Sequence, residues 1–349
     1  MTDAGSMVMS EKQFAVLTTI QEPTSSVSTL AARLSDFGAK LIVIGDKKGP
    51  RAYSLAGTEF LSLEDQLKSQ FEMARELPIG HYARKNVGYL AAIRHEASCI
   101  YETDDDNAPL RSWSLREETV DAHSVEQNGW VNIFRSFSAA TIWPRGFPLD
   151  AVRESLRSAP VLSGKPVRAR APIQQGLANN SPDVDAIWRL ILDEPFDFES
   201  GPSVLLPRGA WCPFNSQSTW WFPVAYPLMY LPSYCSFRMT DIWRSFIAQR
   251  CLWELDLGVV FHGSEVIQQR NDHNLIRDFE DEVPGYLRNR ELVKILEGLD
   301  LTAGAEAVGD NMLVCYEALV RANFFPSREL DLGTSWLREL SNLSRGKHE

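Results

Sequence analysis

The chain has 349 residues, 44% of them hydrophobic and 23% charged, which suits one large or two ordinary globular domains. Its formal net charge of −11 argues against a nucleic-acid or anionic-membrane binder, because phosphate groups would be repelled overall. The five cysteines form no CxxC pair, which favours reduced thiols. We expect no signal peptide and no transmembrane segment, since the apolar run at 220–232 is short and proline-rich. A soluble cytoplasmic protein is the simplest interpretation.

The first 46 residues predict a mobile tail followed by a strand, a helix and a second strand. Residues 14–20 are an uncharged apolar run, residues 27–34 carry apolar side chains at helical spacing, and residues 40–46 form another apolar run. This spacing is typical of a βαβ unit with parallel strands, whose ligands bind beyond the carboxyl ends of the strands. The candidate ligand contacts near these strand ends are Thr18, Thr19, Glu22, Asp46 and Lys48. Asp46 fits a simple turn residue equally well.

A further strand-like run leads directly into three consecutive acids, Asp104, Asp105 and Asp106. Like charges this close disfavour each other's ionisation unless a cation neutralises them. Carboxylate oxygens are the ligands that Mg²⁺ and Mn²⁺ prefer, and these ions often bind substrate phosphates as well. The run therefore predicts a metal–diphosphate site at this strand end. The alternative interpretation is a solvated acidic turn.

The helix that precedes the acidic strand begins with two cations and an amide, Arg84, Lys85 and Asn86. A helix N-terminus with basic side chains favours an anion such as a diphosphate, although a solvated basic turn has the same composition. No GxGxxG motif follows the first strand, and no Walker-type glycine loop is present in the sequence. A dinucleotide oxidoreductase and a P-loop enzyme are thus disfavoured.

Several longer strings carry a family resemblance that extends over about residues 13–290. They are Leu17-Thr-Thr-Ile20, Gly45-Asp-Lys47, Arg84-Lys-Asn86, Glu102-Thr-Asp-Asp-Asp-Asn107, Ile142-Trp-Pro-Arg-Gly-Phe-Pro-Leu149, Gln174-Gln-Gly-Leu177, Pro182-Asp-Val-Asp-Ala-Ile-Trp-Arg189, Pro213-Phe-Asn-Ser-Gln217 and Phe237-Arg-Met-Thr-Asp-Ile-Trp-Arg244. In these the sequence resembles the STELLO-like, glycosyltransferase-like family. More distantly it resembles the reversibly glycosylated polypeptides that act as UDP-arabinopyranose mutases. The plant STELLO proteins carry a membrane anchor, whereas we expect none here.

The resemblance implies a GT-A-type fold, an α/β fold with a mostly parallel central sheet flanked by helices. In that fold the acidic motif would hold Mn²⁺ or Mg²⁺ on the diphosphate of a UDP- or GDP-sugar, and the acceptor would be a carbohydrate. Asp104 and Asp106 would bind the metal, and the later His273 would complete its shell. Arg270 and Asn271 are alternative diphosphate contacts.

Three further aspartates are the candidate catalytic groups that the resemblance implies. Asp183 and Asp185 would contact the hydroxyls of the donor sugar, but either of them also suits the N-cap of the following helix. Asp241 opens a later helix, where it is either an N-cap or the carboxylate that takes the proton of the acceptor hydroxyl in an inverting transfer.

The expected organisation has four parts. Residues 1–12 form a flexible tail, 13–115 the nucleotide-binding half of the GT-A domain, and 116–280 its donor-sugar and acceptor half. Residues 281–349 predict a C-terminal helical extension that packs on the core or on a partner subunit, which allows a homo-oligomer.

Three functions remain open at this point. The first is a metal-dependent glycosyltransferase. The second is a nucleotide-sugar mutase, which interconverts ring forms on the same donor and needs no acceptor. The third is a catalytically silent GT-A module that scaffolds other glycosyltransferases.

Overall fold

The computed structural model describes residues 12–270 and 274–345. The strands are β1 (Gln13–Thr19), β2 (Lys40–Gly45), β3 (Thr58–Leu61), β4 (Cys99–Thr103), β5 (Asn107–Pro109), β6 (Thr119–Ser124), β7 (Gly129–Trp130), β8 (Val167–Arg170), β9 (Ile173–Asn179), β10 (Val204–Leu206), β11 (Ala210–Trp211), β12 (Ser218–Trp221) and β13 (Val259–Gln268). The helices are α1 (Ser25–Asp36), α2 (Leu63–Lys68), α3 (Met73–Glu76), α4 (Lys85–Arg94), α5 (Leu149–Ser155), α6 (Ala186–Ile191), α7 (Thr240–Leu252), α8 (Leu275–Glu297), α9 (Val308–Arg321) and α10 (Arg328–Arg345).

One large sheet runs through both halves of the chain, in the order β3-β2-β1-β4-β12-β9-β13-β10-β6-β8, and β5 pairs with β13. The first four strands in this order are parallel, with Phe14 of β1 opposite Lys40 of β2. The predicted βαβ unit is therefore confirmed. Beyond β4 the sheet is mixed, because β12 is antiparallel to both of its neighbours. The α/β class with flanking helices is also confirmed.

Helix α4 lies against the parallel part of the sheet, and a glycine makes this contact possible. A Cβ atom at Gly88 would lie 2.5 Å from Val16 Cγ1 and 2.8 Å from Ile44 Cγ1, closer than carbon atoms approach. The missing side chain lets the helix backbone approach β1 and β2 directly. This contact fixes the start of α4 next to the carboxyl ends of the parallel strands.

The C-terminal helices pack on the core of the same chain, as one of the two predicted alternatives requires. Helices α8 and α9 contact α7, and α10 contacts α3, α4 and α9. Glu339 of α10 accepts a hydrogen bond from Met73 N at 3.1 Å, and the indole nitrogen of Trp336 donates to the Pro227 carbonyl at 2.9 Å. Helix α8 begins at Leu275 and runs through the expected boundary at residue 281.

Two further expectations concern the thiols and the membrane. All five cysteines lie in the described part of the chain and are free, four of them buried, as predicted. Over residues 12–270 and 274–345, every helix is either too short or too polar to cross a lipid bilayer.

Candidate functional site

A cavity of about 610 Å³ opens at the carboxyl ends of β1, β2 and β4. This is the edge of a parallel sheet at which ligands bind in α/β proteins. The predicted site residues that line it are Thr18, Thr19, Asp46, Lys48, Arg84, Asp104, Asp105, Asp106, Asp183 and Asp241. Four predicted residues, Glu22, Lys85, Asn86 and Asp185, are not among its lining residues in the described part of the chain. His273 and Asn271 lie outside the described residues.

Asp46 follows β2 and organises the loop across the cavity. Its carboxylate accepts hydrogen bonds from Gly80 N and His81 N, both at 2.9 Å, and from Lys47 N at 2.6 Å. These bonds correspond to the predicted role of a turn residue. Because Asp46 also lines the cavity, it fixes the position of a wall that a ligand would touch.

The polar side chains at the start of α4, Arg84, Lys85 and Asn86, point to different partners. The Arg84 guanidinium donates to Gln66 Oε1 and to the Ala74 and Leu77 carbonyls. The Asn86 amide pairs with the backbone of Leu231 at 2.9 Å. These bonds use the polar groups of Arg84 and Asn86 inside the protein, so of the three only Lys85 bonds to the acidic run.

Lys85 is ion-paired with the first acid of that run. Its Nζ atom, in a fully buried side chain, lies 2.8 Å from Asp104 Oδ1 and 2.6 Å from the Tyr82 hydroxyl. The Tyr82 hydroxyl is itself 2.7 Å from Asp104 Oδ1. Lys85 therefore neutralises and orients Asp104 without itself lining the cavity.

The other two acids are less well compensated. Thr19 Oγ1 donates to Asp105 Oδ2 at 2.5 Å, and Gln268 Nε2 donates to Asp106 Oδ2 at 2.9 Å. The remaining oxygen of Asp106, Oδ1, is buried and has no hydrogen-bond partner among the described residues. Burial and the neighbouring charge of Asp104 raise the pKa of Asp106 to about 7, and burial also raises the pKa of Asp105. A cation at this position would relieve the cost of ionising Asp106.

The acidic run fits a hard divalent ion without forming a complete protein cage. In the described parts of the chain, no three His, Cys, Asp or Glu side chains are grouped so that they could hold a metal ion. Mg²⁺ usually needs only one or two carboxylates, because waters and substrate phosphates supply its other ligands. The carboxylates of Asp105 and Asp106 both line the cavity, and the unpartnered Oδ1 of Asp106 could serve as one such ligand.

A second charged cluster in the same cavity centres on Arg145. The guanidinium donates to both carboxylate oxygens of Asp183 at 2.8 Å and to both of Asp241 at 2.9 Å. Burial alone would raise the pKa of Asp241, but the charge and hydrogen bonds of Arg145 outweigh it and hold that pKa well below its usual range. Ser216 adds bonds from its N and Oγ to Asp241 Oδ2, each at 3.2 Å.

Asp185 occupies the other position that we considered for it, the N-cap of α6. Its Oδ1 accepts from Trp188 N at 2.8 Å, and its Oδ2 accepts from the Trp143 indole at 2.6 Å. Both oxygens are used inside the protein and the residue is completely buried. This geometry supports the helix-cap interpretation rather than contact with a sugar.

Four arginines that line the cavity were not predicted as a group. They are Arg145, Arg189, Arg238 and Arg270. Three of them, Arg145, Arg189 and Arg238, lie inside the strings that carry the family resemblance. Their place in these strings was the sequence feature that could have identified them. Arg270 was predicted only together with Asn271, as an alternative diphosphate contact.

The fold defines an α/β protein with a cavity beyond its parallel strands, and this cavity is lined by both carboxylates and guanidinium groups. The family model described as STELLO glycosyltransferases matches residues 238–346, a region that contains Asp241 and the C-terminal helices. Two proteins of Arabidopsis thaliana, probable glycosyltransferases STELLO2 and STELLO1, are each 29% identical to the chain over 352 residues. These alignments cover 94% of this chain and 44% of each relative. The chain is thus similar to the STELLO proteins over most of its own length, as the resemblance implied, and it spans less than half the length of these two proteins.

A solved structure described as that of a mycobacterial protein is also similar, with 11% identity and a TM-score of 0.38. The similarity covers 82% of this chain and 74% of that one. The more distant resemblance to the reversibly glycosylated polypeptides stays a prediction.

Proposed function

We propose that the protein is a metal-dependent glycosyltransferase of GT-A type that transfers a sugar from a nucleotide-diphosphate sugar to a carbohydrate acceptor. The observation that carries the proposal is the single cavity in which the acidic run at Asp104–Asp106 and the cluster around Arg145 meet. The similarity of residues 238–346 to the STELLO glycosyltransferases supports the class of reaction.

The acidic run would serve the diphosphate of the donor. We assign Asp104 and Asp106 as metal ligands, with Asp105 beside them, and His273 stays a predicted further ligand. A bound Mg²⁺ or Mn²⁺ would offset the negative charge that develops on the leaving diphosphate. Lys85 holds Asp104 in place through their ion pair, so its role is positioning rather than direct contact.

The nucleotide would lie along the ends of β1 and β2. Thr18, Thr19 and Asp46 line this part of the cavity, and Lys48 adds a cation. The loop that Asp46 holds through Gly80 and His81 would cover the nucleotide from the opposite side.

The acceptor hydroxyl would lose its proton near Asp241. This carboxylate is ionised at neutral pH, as a proton acceptor must be, but its pairing with Arg145 makes it a weak base. Proton transfer to Asp241 therefore requires that substrate binding loosens this ion pair. Asp183, held by the same guanidinium, would border the donor sugar.

Thermal-shift measurements with Mn²⁺ and a panel of UDP-, GDP- and TDP-sugars, followed by an assay for donor hydrolysis, test the proposal. We expect a metal-dependent stabilisation by at least one nucleotide sugar and slow hydrolysis of it. Asp106→Ala should abolish the metal-dependent shift. The exposed Asp121→Ala, on β6 and outside the cavity lining, is the control and should keep it.

The same panel separates the other functions. Stabilisation followed by ring-form interconversion without an acceptor would indicate a mutase. If no nucleotide sugar stabilises the protein in the presence of metal, both enzymatic functions fail and the silent module remains.

A further inference from the structure

We propose that the cavity contains an anion subsite beside the Arg145 cluster, and that the sugar bound there carries a carboxylate, as a uronic acid does. This inference rests on the proposed function, because it names the chemical class of the donor. The subsite consists of Arg189, Arg238 and Arg270.

Arg145 is not part of this subsite, because its hydrogen-bonding capacity is used. Its Nε, Nη1 and Nη2 atoms already donate to the carboxylates of Asp183 and Asp241, and Nη1 also donates to the Arg238 carbonyl. Arg238 Nη2 also lies 3.8 Å from Asp183 Oδ1, so the two carboxylates of this cluster already face two guanidinium groups. Arg145 itself therefore has no free donor to offer a ligand anion.

Arg189 and Arg270 face one carboxylate between them. Arg270 Nη2 lies 3.2 Å from Asp278 Oδ2, and Arg189 Nη1 lies 4.0 Å from the same oxygen. Two guanidinium groups thus share one carboxylate oxygen at this corner of the cavity. A ligand carboxylate would supply the second negative charge.

Unused hydrogen-bond donors lie at the same corner. Arg189 is buried, and its Nη1 atom has no hydrogen-bond partner within the described residues. Arg238 donates from Nε to Glu282 Oε1 at 2.9 Å, whereas its Nη2 atom has no hydrogen-bond partner within the described residues. Buried guanidinium N–H groups without acceptors are costly, and the fork of an arginine matches a carboxylate with two parallel bonds.

The charges of the cavity also decide where such a carboxylate would sit. Asp104, Asp105 and Asp106 would repel it from the metal end of the cavity, whereas the same acids suit the cation that a diphosphate carries with it. A donor with both a diphosphate and a carboxylate on its sugar suits both groups of side chains. A neutral hexose would leave the free donors of Arg189 and Arg238 without a charged acceptor, so the subsite discriminates between the two sugars.

Calorimetric titration with matched donors tests the inference. The probes are UDP, UDP-glucose, UDP-glucuronate, UDP-galactose and UDP-galacturonate, with GDP, GDP-mannose and GDP-mannuronate as the second set, all with Mg²⁺. We expect at least one uronate donor to bind at least tenfold more tightly than its neutral counterpart. Equal or tighter binding of the neutral donors in every pair would overturn the inference and leave the proposed function standing.

Arg270→Gln is the main variant, because Arg270 is the least buried of the three side chains that contact the acids of this corner. This variant should lower the affinity for the uronate donor at least tenfold. It should lower the affinity for UDP or GDP alone by a much smaller factor. A loss of equal size for both would place Arg270 on the diphosphate and overturn the inference. Arg189→Lys, which keeps the charge but removes the fork, should reduce the uronate preference in part.

Arg168→Gln is the matched control, since it removes the same charge from an exposed position on β8. It should leave all affinities unchanged. If neither UDP nor GDP binds to the wild-type protein, the proposed function and the inference fail together.

Discussion

Arg145 and Asp241 form a two-pronged ion pair, in which Nη1 and Nη2 each donate to one carboxylate oxygen at 2.9 Å. Both residues are buried. The pair joins the loop before α5 to the first turn of α7, so it connects segments that are 96 residues apart in the sequence. Removing one member of such a pair leaves an uncompensated buried charge.

Asp241→Asn should therefore lower the free energy of unfolding at pH 7 by about 3–5 kcal/mol. The pKa of Asp241 in the folded protein lies below its usual value of 3.8, so its stabilising contribution is complete above that value and is lost as the pH falls further. The difference between wild type and variant should shrink as the pH is lowered below about 4. Urea denaturation at several pH values measures this. A difference of equal size at pH 3 and pH 7 would contradict it, and the exposed Asp121→Asn serves as control.

Asp106 should show the opposite pH dependence. Its pKa is raised from 3.8 to about 7 in the folded protein, so the folded state binds more protons than the unfolded state between these values. The stability of the metal-free protein therefore falls as the pH rises through this window. Asp106→Asn should be more stable than wild type at pH 8, by roughly 2–4 kcal/mol, and not at pH 4.

Denaturation in the presence of a chelator measures this difference. Adding Mn²⁺ at pH 8 should stabilise the wild type and leave the variant unchanged. If the difference in unfolding free energy between wild type and variant is the same at pH 4 and pH 8, the pKa of Asp106 is not raised in the folded protein.

Lys85 and Asp104 should behave as a coupled pair. The Lys85 side chain is fully buried, while that of Asp104 is 31% exposed. Lys85→Met should therefore lower the free energy of unfolding by about 3 kcal/mol, the smallest loss expected when a buried ion pair is broken. Asp104→Asn introduced into the Lys85→Met protein should recover part of this loss, because the unpaired charge is gone. A double-mutant cycle from urea denaturation gives the coupling. Strictly additive effects would show that the pair contributes nothing beyond its two members.

Gly88→Ala tests the contact of α4 with the sheet. The added methyl group would meet Val16 and Ile44 within 2.8 Å, so we expect a loss of about 1–3 kcal/mol despite the better helix propensity of alanine. Gly164→Ala is the matched control, because no described atom lies within 4 Å of the added methyl group there. Its thermal midpoint should stay close to that of the wild type. Equal midpoints for both variants would mean that α4 can move away from β1 without cost.

The local pattern of the sequence was sufficient for the parallel part of the fold. Apolar runs and their spacing predicted β1, α1 and β2, and the order of these elements fixed which polar residues follow the strands. The acidic run at Asp104 therefore fell at the correct edge of the sheet. These features depend on neighbouring residues, which a sequence displays directly.

Lys85, Asp185 and Arg145 show what periodicity does not reveal. The composition of the helix start suggested that Arg84, Lys85 and Asn86 act together, but the packing of α4 directs Lys85 to Asp104 and the other two into the protein. From the sequence Asp185 fitted two roles, and the hydrogen bonds that it accepts from Trp188 N and the Trp143 indole identify it as the N-cap of α6.

The sequence by itself determined the βαβ unit, the acidic strand end and the relation to a family, because each of these is carried by short contiguous strings. Only the tertiary structure decided that Arg145 pairs with Asp183 and Asp241, and that Arg189 and Arg270 share Asp278. Ion pairs of this kind join segments that the mixed order of β12, β9 and β13 brings together. Their energy depends on burial and on the distance between charges, and both are properties of the folded chain.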